Sequence, residues 1–338
     1  MRKASRKKPR SFLKPCLSKL NDASDTQLLK LLSKPPHSPW PEPKTNPRPR
    51  PLRITPRRRY RKPPASSGFF DTLPLELLDM ILLRLDYTSL TRLSATNTKA
   101  ESYIKSRPYY KLVVENCYMF LGELCRIQFL HIPTAASIHH ALCNPKCSTQ
   151  GCPQPAGSFF LLTCQRYCYQ CLGTTAQNTA LISFMVEQKY HIPKEDIFEN
   201  LLSHQSSERP GLVFVLEADV ICLTTRLFGE ERRVTCHDSW WSRDFASLPL
   251  PFVDVETKAV EYGRLCRACH TAFEELAHCW EQIDAEPNDD QLQAWRKQLK
   301  EMEVPGNRTY GAKQLLQHIR SGECPHAQEY WSKEYRRG

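Results

Sequence analysis

Apolar positions fall at helical spacing between Thr72 and about Arg107. Leu73, Leu77, Leu78, Ile81, Leu82 and Leu85 repeat at three- and four-residue steps, which predicts a helix with one inward stripe. Thr72 offers a cap for its first turn, where Pro74 is tolerated because the first amides have no intrahelical acceptor. Asp86 to Thr88 reads as a tight corner, a second short helix carries Leu90 and Leu93, and a third runs from about Asn97 to Ile104. Leu75, Met80 and Leu83 lie off the stripe. A three-helix unit of roughly 40 residues is too small to bury that much apolar surface, so the excess reads as a docking face.

Downstream, Leu112, Val113, Cys117, Phe120, Leu121, Leu124 and Phe129 keep helical spacing, predicting helix from about Tyr109 to Leu142 with Cys117 and Cys125 as buried thiols. Phe159 to Leu162 reads as a strand, Gln177 to Lys189 and Pro193 to Leu202 as helices, Gly211 to Arg226 as one or two strands, and Val234 to His237 as another. Trp240 and Trp241 read as core or as a patch facing a substrate. The apolar run from Gly211 to Leu216 is broken by Glu217 and Asp219, and no uninterrupted apolar stretch reaches membrane-spanning length.

Charge divides the 338-residue chain in two. Residues 1–67 hold 19 Lys/Arg against three Asp/Glu, net +16, and 13 of the 26 prolines; the remainder holds 28 against 33, net −5. Such a segment has little to pack and is expected to be a disordered, basic, proline-rich tail, with a helical turn or two at Leu28 to Leu32. Its basic clusters, Arg2 to Arg10 and Arg57 to Lys62, fit nuclear import or a non-specific touch on nucleic acid. A mitochondrial presequence and a solvated linker are the other readings.

The fifteen cysteines carry the chemistry. With no secretory signal they point to a reducing compartment, where clustered thiols are metal ligands more often than disulfides. Cys147-x4-Cys152 precedes Cys168-x2-Cys171, and tight turns bearing paired cysteines supply two thiolates each to a tetrahedral zinc. Cys143 and Cys164 are spare candidates for this site. Cys266-x2-Cys269, with His318 and Cys324 near the end of a later helix, makes a second four-ligand set; His326 is a spare, and His270 reads as a surface histidine. Both sets are closed, with no open coordination position for catalysis. Phosphate-cradling glycine loops, His-Glu-x-x-His and Gly-x-Ser-x-Gly are missing, and the ligands are too widely spread for a RING.

The leucine pattern resembles an F-box. Leu73-Pro74-x-Glu76-Leu77-Leu78-x-x-Ile81-Leu82-x-x-Leu85, followed by Leu90-x-x-Leu93, matches that family residue type by residue type, departing from it where no tryptophan follows Asn97. The resemblance implies docking of Leu73, Pro74, Leu77, Leu78, Ile81, Leu82, Leu85, Leu90 and Leu93 on the Skp adaptor of an SCF-type cullin ubiquitin ligase, with the rest of the chain recruiting an unknown protein substrate. Thr163-Cys164-Gln165-Arg166-x-Cys168-x-x-Cys171 and the closing segment His318 to Trp331 are similar, more loosely, to cysteine-rich fungal F-box proteins.

The expected architecture is mostly α with a smaller β content: tail (1–67), three-helix F-box (68–112), and a cysteine-rich, zinc-binding α+β domain (113–338). The expected protein is a non-catalytic adaptor of nucleus and/or cytoplasm, with no membrane partner. The rival reading is a zinc-containing nuclear nucleic-acid-binding protein using its basic arm. Nucleic-acid domains carry a basic face, so the net −5 of residues 68–338 favours the adaptor.

Overall fold

The computed structural model describes residues 20–35, 72–127, 129–201, 204–205, 213–231, 246–254, 256–257, 259–281 and 289–335. The basic clusters, Val234 to His237 and the Trp240-Trp241 pair lie outside them. The chain is mostly helical with short antiparallel strands, and it divides into two compact units, residues 37–263 and residues 1–36 with 264–338. The expected single domain from 113 to 338 is thus split at Arg264, and its last part shares a unit with the N-terminus.

Part of the expected tail is folded. Helix α1 (Asp25–Leu32) starts at a capping box in which Ser24 Oγ accepts from the Gln27 amide and Gln27 Oε1 accepts from the Ser24 amide. Leu28 and Leu32 are fully buried, and β1 (Ser33–Lys34) pairs Ser33 with Cys266 and Lys34 with Leu265. Proline and basic charge dominate residues 1–67 as a whole; the helical turn or two expected at Leu28 to Leu32 is a full helix followed by a strand whose partners lie more than two hundred residues away.

In residues 37–263 the leucine-rich stretch forms α2 (Leu75–Arg84), α3 (Tyr87–Ser94) and α4 (Thr98–Ser106). Helix α2 begins after Pro74, whose side chain offers no cap. Asp86 caps α3 by accepting from the Ser89 amide at 2.8 Å, and Asn97 caps α4 by accepting from Ala100 at 2.7 Å. The helix predicted from 109 to 142 is three: α5 (Pro108–Asn116), α6 (Tyr118–Arg126) and α7 (Ala135–Cys143). It breaks at Cys117, outside helical φ/ψ, and again before Thr134, which caps α7. Cys117 is buried as expected, but Cys125 is exposed.

Strands β2 (Ser158–Phe160) and β3 (Gln165–Tyr167) follow, then β4 (Ala180–Ile182), α8 (Ser183–Tyr190), α9 (Lys194–Asn200), β5 (His204–Gln205) and β6 (Val213–Leu216). The stretch read as strand through Arg226 turns helical at Glu217, giving α10 (Glu217–Phe228); Glu217 and Asp219 lie in its positive first turn, and Gly229 ends it at φ 73°. After α10 come β7 (Ser247–Pro249), β8 (Phe252–Val253) and β9 (Val260–Glu261). The sheets run β3-β2-β7, β4-β6-β5 and β8-β9. Strand alternation sends Phe159 into the core built by α2 to α7 and Phe160 into a separate cysteine-bearing core.

The other unit continues from β1 into β10 (Arg264–Cys266), α11 (Arg267–Glu281), α12 (Asp289–Asn307), β11 (Thr309–Tyr310), α13 (Ala312–Arg320) and α14 (Ala327–Tyr335). Its sheet runs β1-β10-β11, and its core joins Leu20, Leu28 and Leu32 to Leu315, Ile319 and Trp331 around Cys266, Cys269 and Cys324.

Candidate docking face and metal centres

Helix α2 divides its apolar residues between two faces. Leu78 and Leu82 pack inward with Tyr87, Leu90, Ile104 and Val113, while Leu85 and Leu93 rest half-buried against the same core. Leu78, Leu82 and Leu90 are thus packed within the chain itself. The outward residues are Leu75, Leu77, Met80 and Ile81, 58%, 47%, 56% and 38% exposed, with Pro74 exposed beside them and Leu73 half-buried. Leu77, Met80 and Ile81 are three and four residues apart and form one stripe turned away from Leu78 and Leu82. Leu77 and Ile81 were expected on the inward stripe and face outward, and only Leu75 and Met80 were read as lying off it; where both faces of a helix are apolar, periodicity does not say which one the chain covers.

Helix α2 is held against α4 by the Arg107–Asp79 ion pair at 2.9 Å, with the guanidinium 4.0 Å above the Tyr103 ring and Tyr103 Oη donating to the Leu75 carbonyl. At its other end the Leu85 carbonyl accepts from the Ala135 amide at 2.8 Å. The stripe is thus presented by a fixed helix.

Two four-residue clusters could each hold a metal ion. In the first, the thiols of Cys147, Cys152, Cys168 and Cys171 all lie within 4.8 Å of one another. One turn returns at Gly151 (φ 76°) with the Cys152 amide donating to the Thr149 carbonyl; the other has the Cys171 amide donating to the Cys168 carbonyl. The Cys168 amide donates to Cys147 Sγ at 3.4 Å, and Cys152 Sγ stands 3.8 Å from Cys168 Sγ. The neighbouring Cys168 thiol and the amides around it pull Cys147 down to about 4, and the same contact pushes Cys168 up. One shared proton cannot satisfy four converging sulfurs, whereas a divalent cation can.

The second cluster joins Cys266 and Cys269, at the β10–α11 junction, to His318 near the end of α13 and Cys324 just beyond it. All four are buried. Cys324 Sγ lies 3.5 Å from Cys266 Sγ and 3.4 Å from Cys269 Sγ, and His318 Nε2 lies 3.5 Å from Cys269 Sγ. These spacings resemble the edge of about 3.8 Å of a sulfur tetrahedron around an ion with bonds of ~2.3 Å. Hydrogen bonds from Cys269 and Cys324 hold Cys266 well below the usual thiol range. Tyr310 stacks on the imidazole at 4.9 Å, and Glu323 stands 3.9 Å from His318 Nδ1.

The spare candidates stay apart. Cys143 contacts His139 at 3.6 Å, Cys164 donates to the Leu161 carbonyl, and His326 joins neither cluster. His270 is buried, with Nδ1 3.2 Å from the Gly306 carbonyl, so it is not the surface residue its place beside a knuckle suggested. Tyr310 escaped the sequence reading, and of α1 only a helical turn or two at Leu28 to Leu32 was expected; the Ser24-x-x-Gln27 box was the available signal for its start.

Comparison with known families places residues 70–112 in the F-box domain family, and these residues are an F-box domain. An F-box domain implies, in general, a substrate-adaptor role in SCF-type ubiquitin ligases through binding of Skp. No curated protein matches the chain, and no solved structure does. Among the described residues no helix is long and apolar enough to cross a membrane.

Proposed function

We propose that this chain is a non-catalytic substrate adaptor of an SCF-type ubiquitin ligase, and that two structural zinc ions hold its cysteine-rich parts together. The observation that carries the adaptor reading is the outward stripe of Leu77, Met80 and Ile81 on a helix whose other face is already packed. A contiguous exposed apolar patch on a fixed helix is what a partner surface needs. Zinc is the metal chosen because closed sets of four thiolates, or of three thiolates and one imidazole, are its structural coordination, whereas calcium and magnesium take oxygen ligands.

Replacing Leu77 and Met80 by alanine tests the docking face. Both are solvent-exposed, so thermal stability should stay near wild type, while Skp capture from purified components should fall by at least about tenfold, the scale of losing an interface anchor. Leu82→Ala serves as the contrast, since emptying a fully packed position costs roughly 2–5 kcal/mol and should appear in the melting curve. Undiminished capture by the double variant would remove Skp from the proposal.

The basic arm is proposed as a nuclear-import signal. Deletion of residues 1–18 removes the first basic cluster and leaves the α1 sequence, Asp25–Leu32, intact. A shift of fluorescently tagged protein from nucleus to cytoplasm is expected, and an unchanged distribution would leave that cluster a linker.

A further inference from the structure

We propose that a cavity between the end of α7, the first cysteine turn and β3 is a binding site for a phosphate-class oxyanion. The cavity is about 290 Å³ and is lined by His140, Asn144, Lys146, Ser148, Gln165 and Arg166, with Ala141 and Cys164. That lies at the lower limit of ligand pockets, roughly 300–1,000 Å³, and suits one small charged group.

Its chemistry is one-sided. The lining contains an ammonium, a guanidinium and an imidazole and no carboxylate. Arg166 is 3% exposed, and a guanidinium keeps its proton in proteins. Among the described residues it meets no acidic side chain: its partners are the carbonyls of Ala156, Ala141, Pro251 and Leu250. Those four bonds use one N–H of Nε, two of Nη1 and one of Nη2, leaving one donor of five. A buried cation without an anion is costly unless something negative reaches it.

The remaining polar groups are biased the same way. Asn144 Oδ1 already accepts from the Lys146 amide at 3.1 Å, and Gln165 Oε1 accepts from Tyr167 at 3.0 Å, so the NH2 ends of both amides are the open ones. Lys146 Nζ and the Ser148 hydroxyl add two more donors. A set of five donors exceeds what the two oxygens of a carboxylate use comfortably and suits the three terminal oxygens of a phosphate.

The nearby thiolates do not explain this charge. Along β3, Tyr167 packs in the core that holds Cys147 and Cys168, whereas Arg166 is on the opposite face. The guanidinium is bonded to the carbonyls of Ala156, Ala141, Pro251 and Leu250, on the face away from the first cysteine cluster.

The test uses the full-length, zinc-loaded protein in phosphate-free buffer at physiological salt, titrated calorimetrically with inorganic phosphate and, separately, with a phosphoserine capped by alanines. Saturable one-to-one binding of at least one probe is expected, weakened by at least about tenfold in Lys146→Gln and in Ser148→Ala. Both variants leave the backbone bonds of the turn intact, and unchanged zinc content and melting midpoint exclude a folding effect. Inorganic phosphate binding as tightly as the capped phosphoserine assigns the cavity to a free anion, and tighter binding of phosphoserine assigns it to a modified side chain. Absence of saturable binding of either probe up to about 1 mM, or equal affinity in both variants, overturns the proposal.

Discussion

A chain beginning at residue 37 should fail to fold its C-terminal unit, even though what it lacks is almost all tail by composition. Helix α1 contributes Leu28 and Leu32, both fully buried, beside Leu20, and β1 supplies an edge of the sheet that carries Cys266. Asp25 adds an ion pair with Arg320, but this is exposed and counts for little. Emptying each buried leucine position costs about 2–5 kcal/mol, and a whole domain is stable by only ~5–15 kcal/mol. The segment 264–335 should therefore lose its cooperative transition, with Trp331, now 5% exposed, shifting its fluorescence to the red, and become protease-sensitive. Deletion of residues 1–18 should leave both readouts at wild-type values. Wild-type melting of the chain starting at residue 37 would show that α1 only decorates a core complete without it.

Stripping the metal should have the other large effect. Structural zinc sites are not preformed in an unfolded chain, so the binding free energy, roughly 10–16 kcal/mol in small zinc domains, is folding free energy. Two equivalents per chain are expected by elemental analysis, with Cys171→Ser and Cys269→Ser each removing about one. The second centre is the more consequential. Its four ligands are all buried in the middle of a small core, whereas Cys152 and Cys171 of the first are half-exposed at its edge. Cys269→Ser should thus abolish the folding of its unit, and a chelator should release the first ion sooner than the second. Less than half an equivalent in the wild-type protein would reduce both clusters to buried thiols.

How much of this was legible depended on how local each signal is. The three F-box helices showed in the leucine spacing because caps such as Asp86 and Asn97 lie within three residues of the amides they satisfy. The knuckles showed in the same way, since Cys168 and Cys171 need only one turn between them. Distant partners were harder: His318 and Cys324 could be joined to Cys266 and Cys269 only by counting ligands, and β1, just after α1, finds its strand partner at Cys266. The run from Gly211 to Arg226 failed for a different reason. An apolar stretch has no period of its own, and the switch from β6 to α10 rests on the charges at Glu217 and Asp219. The cavity was invisible because its donors come from α7, a turn and β3, and an isolated Arg166 in sequence announces nothing.

The alternation in β2 bears on modularity. The F-box family match ends at residue 112, but the core beneath α2 continues through α5, α6 and α7 to Phe159, Leu161 and Leu248. The next side chain on the strand, Phe160, belongs to the core of the first metal centre. A transplant of residues 70–112 onto a foreign recruiting region would carry the outward stripe but expose its underside. A piece that keeps that core whole runs at least through Val253 of β8, so this F-box cannot be exchanged as a short cassette.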